Sequence, residues 1–224
     1  MLVLAIDTAT AATSVAVVRL VDGEAAAEPV RRRHVDPRGH GEHLAPLVRA
    51  ALAEAGGRPA DLTAIVAGTG PGPYTGLRVG LATAAAMGQA LSLPTYDVCS
   101  LDGLGAILPG NGLVATDARR REIYWAIYTD RTRVAGPGVA RPEDLLPTIA
   151  AHGVGQGYGE GALRYRAALG VPVAAEPVYP DPVALVEVAA ARIVAGAEGE
   201  SLTPRYLRRP DAAEPGTPKP VTPG

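Results

Sequence analysis

One pattern occurs twice in this chain and limits its fold more than any other feature. Residues 2–6 (LVLAI) are an apolar run ending at Asp7; the short polar turn DTATAAT follows, and residues 14–20 form a second strand-like run. After the turn cluster Pro109-Gly110-Asn111-Gly112 the order returns. An apolar run over 113–116 ends at Asp117, and a strand over 122–129 follows a short turn. Each pair leads to a third strand, near 28–35 and 134–140, and then to a helix, 40–55 and 141–152. This repetition predicts a duplicated α/β architecture of mixed sheets flanked by helices, with a cleft between the halves. The turns Asp7-Thr8-Ala9-Thr10 and Asp117-Ala118-Arg119 are expected to face each other across it.

The same pattern sets the boundaries. An N-terminal subdomain is expected over 1–109 and a C-terminal one over 110–209, with the last helix (182–197) free to pack back on the first half. The tail 210–224, PDAAEPGTPKPVTPG, is proline-rich and poor in apolar residues, so disorder in isolation is expected there. Further strands are predicted at 64–67 and 95–98, and a short helix over 101–107 capped by Ser100.

The least ordinary stretch is 68–91, GTGPGPYTGLRVGLATAAAMGQAL. Gly68, Gly70 and Gly72 alternate, with Pro71 and Pro73 between and after them, which fixes a tight path and lets backbone approach another group closely. Thr75 is the expected N-cap, and no proline interrupts 77–91. Gly76, Gly80, Ala84 and Gly88 recur every four residues and form one stripe of small side chains. Two interior glycines cost about 1 kcal/mol each relative to alanine, so a close contact must offset the loss. Taken alone, the stripe favours packing on the chain's own sheet over a helix shared with a partner. A Walker phosphate loop is excluded, because Gly76 is followed by Leu77 and Arg78 where the motif needs Lys and Ser or Thr.

Composition narrows the function classes. Hydrophobic residues make up 47% of 224, yet no apolar run has the length of a membrane span. The N-terminal run has no basic segment before it and meets Asp7 at once, which reads as a strand and gives a cytoplasmic expectation. Cys99 is the single cysteine, so an internal disulfide and a cysteine zinc cluster are both excluded. The net charge of -2 lacks the basic excess of an independent nucleic-acid binder. Arg31, Arg32 and Arg33 read as a solvated strand edge. His40 and His43 lie three apart, a spacing compatible with two metal ligands on one helix face. With no third ligand nearby in sequence, an exposed or hydrogen-bonded pair is the preferred reading. The run Gly153 to Gly159 reads equally as a loop passing under a nucleotide base and as a simple strand-to-helix turn.

Four segments in order, LAIDTAT, GTGPGPYTGLRVG, ATDARRREIYWAIY and PRYLRR, carry a resemblance. The chain resembles the duplicated actin, hexokinase and heat-shock-chaperone (ASKHA) folds, and more closely the TsaB (YeaZ) family, bacterial subunits of the machinery that makes threonylcarbamoyladenosine in tRNA. The resemblance implies a non-catalytic subunit that pairs with TsaD, the protein holding the site that transfers threonylcarbamoyl to adenosine 37 of tRNAs reading ANN codons. It also implies TsaE as a further partner and tRNA bound through the assembly. It places Tyr74, Arg78, Gly80, Leu81, Ala84, Met87 and Gly88 at the partner interface, reversing the preference drawn from the stripe. A homodimer through the same helix stays open.

No catalytic residue, resident metal or intrinsic cofactor is expected. Asp7, Thr8, Thr10, Asp117, Gly155 and Gly157 are the candidate residues for weakly held ATP or ADP with Mg²⁺, at or near the partner boundary. Thr8, Ala118 and Arg119 stand where phosphate loops of this class need glycine, so tight cradling is not expected. The chain has no HxxxH or HExxH pair, which argues against intrinsic carbamoyl transfer or peptidase activity. The alternative is a self-sufficient small-molecule kinase or ATPase of the same fold. Arg205, Arg208 and Arg209 read as a solvated linker rather than an RNA contact.

Overall fold

The computed structural model describes residues 1–26 and 28–208, so the tail 210–224 lies outside the described residues. In chain order the first half runs β1 (Leu2–Asp7), β2 (Ala12–Val21), β3 (Glu24–Ala25), β4 (Val30–Val35), α1 (His40–Glu54), β5 (Ala64–Gly68), α2 (Tyr74–Leu91), β6 (Thr95–Val98) and α3 (Asp102–Gly105). The remainder runs β7 (Asn111–Asp117), β8 (Ile123–Thr129), β9 (Thr132–Ala140), α4 (Leu146–Ala151), β10 (Gln156–Tyr158), α5 (Glu160–Arg164) and α6 (Pro182–Val194).

β1 and β5 are buried along their whole lengths, as continuous apolar runs must be when both faces of a strand are covered. β1 pairs antiparallel with β2 and parallel with β5, giving a sheet in the order β3-β2-β1-β5-β6 with β4 also on β2. The second sheet is β10-β7-β8-β9. There β7, β8 and β9 form an antiparallel meander with β10 parallel beside β7. This repeats the arrangement of β1, β2 and β4 with β5. The duplicated α/β architecture of mixed sheets flanked by helices expected from the doubled pattern is therefore present. The counterpart of β6 is reduced to a single parallel bridge, Gly157 to Val173.

α1 and α2 cover one face of the first sheet, packing Leu44, Leu52 and Leu77 on Leu4, Ile6 and Ile65. α6 covers the other, where Val183, Leu185, Val186 and Ala189 meet Val3, Ala5 and Val66. Full burial of such a side chain is worth about 1.5–3 kcal/mol. The last helix thus belongs to the core of the first sheet.

Several boundaries differ from the sequence expectation. The helix over 141–152 begins as a 3₁₀ turn, Pro142–Leu145, and turns α-helical only over Leu146–Ala151. Pro147 lacks the N–H that an uninterrupted helix would use there. α2 begins at Tyr74 with Pro73 as its N-cap, its carbonyl accepting from Leu77 N at 3.0 Å, while Thr75 is exposed and makes no cap. α6 stops at Val194, just before Gly196 at φ +62°. Among the described residues no helix is long and apolar enough to cross a membrane.

Candidate functional site

The strand ends of the two halves open on a cleft of about 1050 Å³. Both Asp turns reach it: Thr10 and Ala11 line one wall, and Asp117, Ala118 and Arg119 the other. Arg38, Glu160, Arg164 and Arg208 complete its polar lining, with Tyr74 and Tyr124 among the apolar groups.

The first turn is closed by its own packing. Asp7 is 1% exposed and is not among the residues lining the cleft. Its Oδ1 accepts from Ala9 N at 3.1 Å, while Oδ2 has no hydrogen-bond partner among the described residues. Gly68 leaves the space for it, since a Cβ there would lie 1.8 Å from Oδ2. Burial pushes the Asp7 carboxyl above its ordinary range, against the lowering influence of Ser100, the Ala9 amide and Arg33. Gly72 presses on the same turn, where a Cβ would stand 2.2 Å from Ala9 O.

Thr8 is held inside helix α2. Its hydroxyl donates to Gly76 O at 2.8 Å and accepts from Gly80 N at 3.0 Å. That contact explains the glycine stripe. A Cβ at Gly80 would come within 2.4 Å of Thr8 Oγ1, at Gly76 within 2.9 Å of His40 Cδ2, and at Gly88 within 2.6 Å of Thr95 Cγ2. Ala84 and Leu81 are buried as well.

Within the chain, the side of α2 that carries Gly80, Leu81, Ala84 and Gly88 is buried: Thr8 stands against Gly80, Thr95 against Gly88, and Leu81 and Ala84 lie in the core of the first half. Of the other expected interface residues, Tyr74 and Arg78 are exposed and Met87 is half-buried. Tyr74 stacks on Tyr206 at 5.2 Å between centroids, and Arg78 lies over the Tyr74 ring at 4.9 Å. The outward face of α2 is Ala82, Ala85, Ala86, Gln89 and Ala90, and no charged residue occurs between 79 and 91.

The second turn is open and held by side chains. Asp117 Oδ2 accepts from Arg164 at 3.1 Å, and its Oδ1 is buried without a hydrogen-bond partner among the described residues. Glu160, the first residue of α5, sits beside it. Burial and the Asp117 charge push the Glu160 carboxyl up to about 7, partly opposed by the backbone amides of Asp117 and Ala11 and by Arg164. Ala11 of the first Asp turn and Glu160 line the same cleft, so this carboxyl faces both halves. Arg208 donates to Ala118 O at 2.8 Å and lies 3.4 Å from Glu122.

Of the candidate nucleotide residues, Thr10 and Asp117 meet in the cleft, and Asp7 and Thr8 lie behind its wall. Gly155 and Gly157 are not brought to it: Gly155 N donates to Asn111 O at 3.1 Å, and Gly157 is buried in β10. The sequence reading missed Glu160 and Arg164. The available signal was their place in the helix that opens after Gly159, which corresponds to α2 in the first half.

Two other readings are resolved. His40 is buried, with Nδ1 2.7 Å from Thr13 Oγ1, so it does not pair with His43, and burial holds its imidazole below the usual range. Cys99 is a core residue whose thiol is pushed up to about 11, chiefly by burial.

The comparisons with known proteins agree with this architecture. The family model described as "TsaD: tRNA N6-adenosine threonylcarbamoyltransferase" matches residues 34–164. An uncharacterized protein of Mycobacterium leprae is 45% identical over 226 residues, covering 99% of this chain; the chain spans only 57% of that relative. The tRNA threonylcarbamoyladenosine biosynthesis protein TsaB of Escherichia coli is 37% identical over 57% of this chain and 55% of its own length. The solved structure of YeaZ from Pseudomonas aeruginosa superposes with a TM-score of 0.76 at 28% identity, covering 92% of this chain and 99% of that one. On the extent of these matches the chain belongs to the TsaD-type family and, within it, to the TsaB/YeaZ members.

Proposed function

We propose that this chain takes part in tRNA threonylcarbamoyladenosine synthesis as a non-catalytic subunit that pairs with a TsaD transferase and supports it. The observation that carries this reading is the outer face of α2. Ala82, Ala85, Ala86 and Ala90 are exposed along a helix with no charge from 79 to 91. Small side chains let a second helix approach closely, and an uncharged exposed helix face marks an interaction surface. The cleft supports the non-catalytic part. Asp7 is shut behind Gly68, Thr8 is bonded into α2, and Asp117 is ion-paired, so neither turn presents a free phosphate cradle. The pathway is supported by the name of the Escherichia coli relative and by the description of the family model.

In this reading TsaE joins the assembly, which binds the tRNA, because a chain of net charge -2 has little to offer a polyanion alone. The setting is cytoplasmic, and any ATP or ADP with Mg²⁺ is held weakly at or near the partner boundary. The test is size-exclusion chromatography with light scattering, on this protein alone and mixed with TsaD of the same organism, with and without ATP. A one-to-one complex is expected. Ala86→Arg should abolish it and leave the melting curve of the free chain unchanged. No complex in either condition overturns the proposal. A homodimer that dissociates when TsaD is added places self-association on the same face.

The self-sufficient kinase is the second reading, favoured by the size of the cleft and by Glu160 near neutrality within it. Phosphate transfer from Mg-ATP to a metabolite by the purified chain, without TsaD, establishes it in place of the first.

A further inference from the structure

The join between β4 and α1 is only four residues long, 36–39. It brings three metal-capable side chains together on the outside of the first half. His34 is the penultimate residue of β4, Asp36 follows the strand, and His43 lies in the first turn of α1. One ligand atom from each, imidazole nitrogen or carboxylate oxygen, lies within 4.8 Å of the other two. His43 Nε2 is 3.8 Å from Asp36 Oδ2, and the two imidazole centroids are 3.7 Å apart.

The backbone is shaped to allow this. A Cβ at Gly39 would stand 2.5 Å from Asp36 Oδ2 and 2.8 Å from His43 Nε2, so only glycine leaves the two groups room to converge. Asp36 Oδ1 accepts from Arg38 N at 2.9 Å, which turns Oδ2 toward the imidazole. Such support of a ligating carboxylate by a hydrogen bond is what metal sites use to orient their ligands. His40, the next histidine along, is turned inward to Thr13 and takes no part.

We infer that His34, Asp36 and His43 form a surface site for a borderline divalent transition ion, with Zn²⁺ as its type. Two imidazoles and one carboxylate suit such an ion and do not suit Mg²⁺ or Ca²⁺, which take oxygen ligands. Bonds of about 2.0–2.2 Å require the three donors to close by roughly 1 Å while the two imidazole rings, 3.7 Å apart between centroids, splay; His34 is exposed and Asp36 and His43 are half-buried, which leaves room for that rotation. Three protein ligands leave the fourth position to water. The ion would tie the end of β4 to the start of α1, beside the wall of the cleft that Pro37, Arg38 and His40 line.

The test is titration calorimetry of the full chain with Zn²⁺ after chelator treatment, together with the visible absorption of the Co²⁺ form. One ion per chain and a tetrahedral Co²⁺ spectrum are expected. His34→Ala, His43→Ala and Asp36→Asn should each weaken binding at least tenfold, and Gly39→Ala should weaken it through the blocked approach. His152→Ala should change nothing. Zn²⁺ should raise the melting temperature of the wild type and not that of the His34→Ala/His43→Ala variant. Equal uptake by the wild type and that double variant, or no uptake by the wild type, overturns the assignment; circular dichroism confirms that each variant is folded.

Discussion

The two halves share a strand plan and differ in what closes their Asp turns. In the first, helices of 15 and 18 residues cover one face of the sheet. In the second, the helices at the corresponding places, α4 and α5, have 6 and 5 residues. After Asp7 comes Thr8, whose hydroxyl is bonded into α2; after Asp117 comes Ala118, which has no hydroxyl, and Arg208 of the C-terminal segment takes its carbonyl instead. Asp7 is sealed by Gly68, whereas Asp117, itself partly buried, is paired with the exposed Arg164. The first turn is locked by packing alone; the second adds long, removable side chains to close glycine packing of its own, since a Cβ at Gly161 would stand 2.6 Å from Thr116 C.

The largest effect that would test this contrast is on the glycines. Gly72→Ala drives a methyl into the Ala9 carbonyl, and denaturant unfolding should show a loss of more than about 3 kcal/mol. Gly155→Ala, away from both turns, meets nothing closer than 3.9 Å and serves as the control, expected to stay within about 0.5 kcal/mol. Equal losses at the two positions would show that the close approach to the Ala9 carbonyl carries no stability.

Glu160 sharpens it next. Its folded-state pKa of about 7 lies above the ordinary 4.5, so between those values the folded chain binds more protons than the unfolded one. Its contribution is fully favourable below about pH 4.5, falls as pH rises through the window, and levels off above about 7. Unfolding measured from pH 5 to 8 should show a loss of up to about 3 kcal/mol from this group, absent in Glu160→Gln.

Thr8→Ala makes the first turn resemble the second. It removes the buried hydroxyl that bridges Gly76 O and Gly80 N and should cost about 1–2 kcal/mol by chemical denaturation. The smallest effect is Arg164→Ala, which removes an ion pair whose arginine side chain is 63% exposed. Less than about 1 kcal/mol should be lost, and added salt should shrink the difference further.

The strand and helix order, the duplication and the unusual character of the glycine loop were legible because apolar runs and turn residues are local signals. The direction of the glycine stripe was not. A period of four residues says that something approaches closely, and the group that does so, Thr8, lies 68 residues earlier in the chain. Glu160 was missed for a similar reason, since a glutamate gains its chemistry here from burial that only the assembled halves supply. The histidines repeat the lesson. Helical spacing pairs His43 with His40, but the turn from β4 into α1 sets it against His34 instead.

The placement of α6 has a consequence for how the protein is made. Val3, Ala5, Val66 and Val98 are in the half that leaves the ribosome first, yet the helix that shields them begins at Pro182. At about 5–20 residues per second, that face of the nascent sheet waits on the order of ten seconds for its cover. During that interval the growing chain carries an adhesive surface that the finished molecule never displays, and any synthesis that stops before Pro182 leaves it exposed permanently.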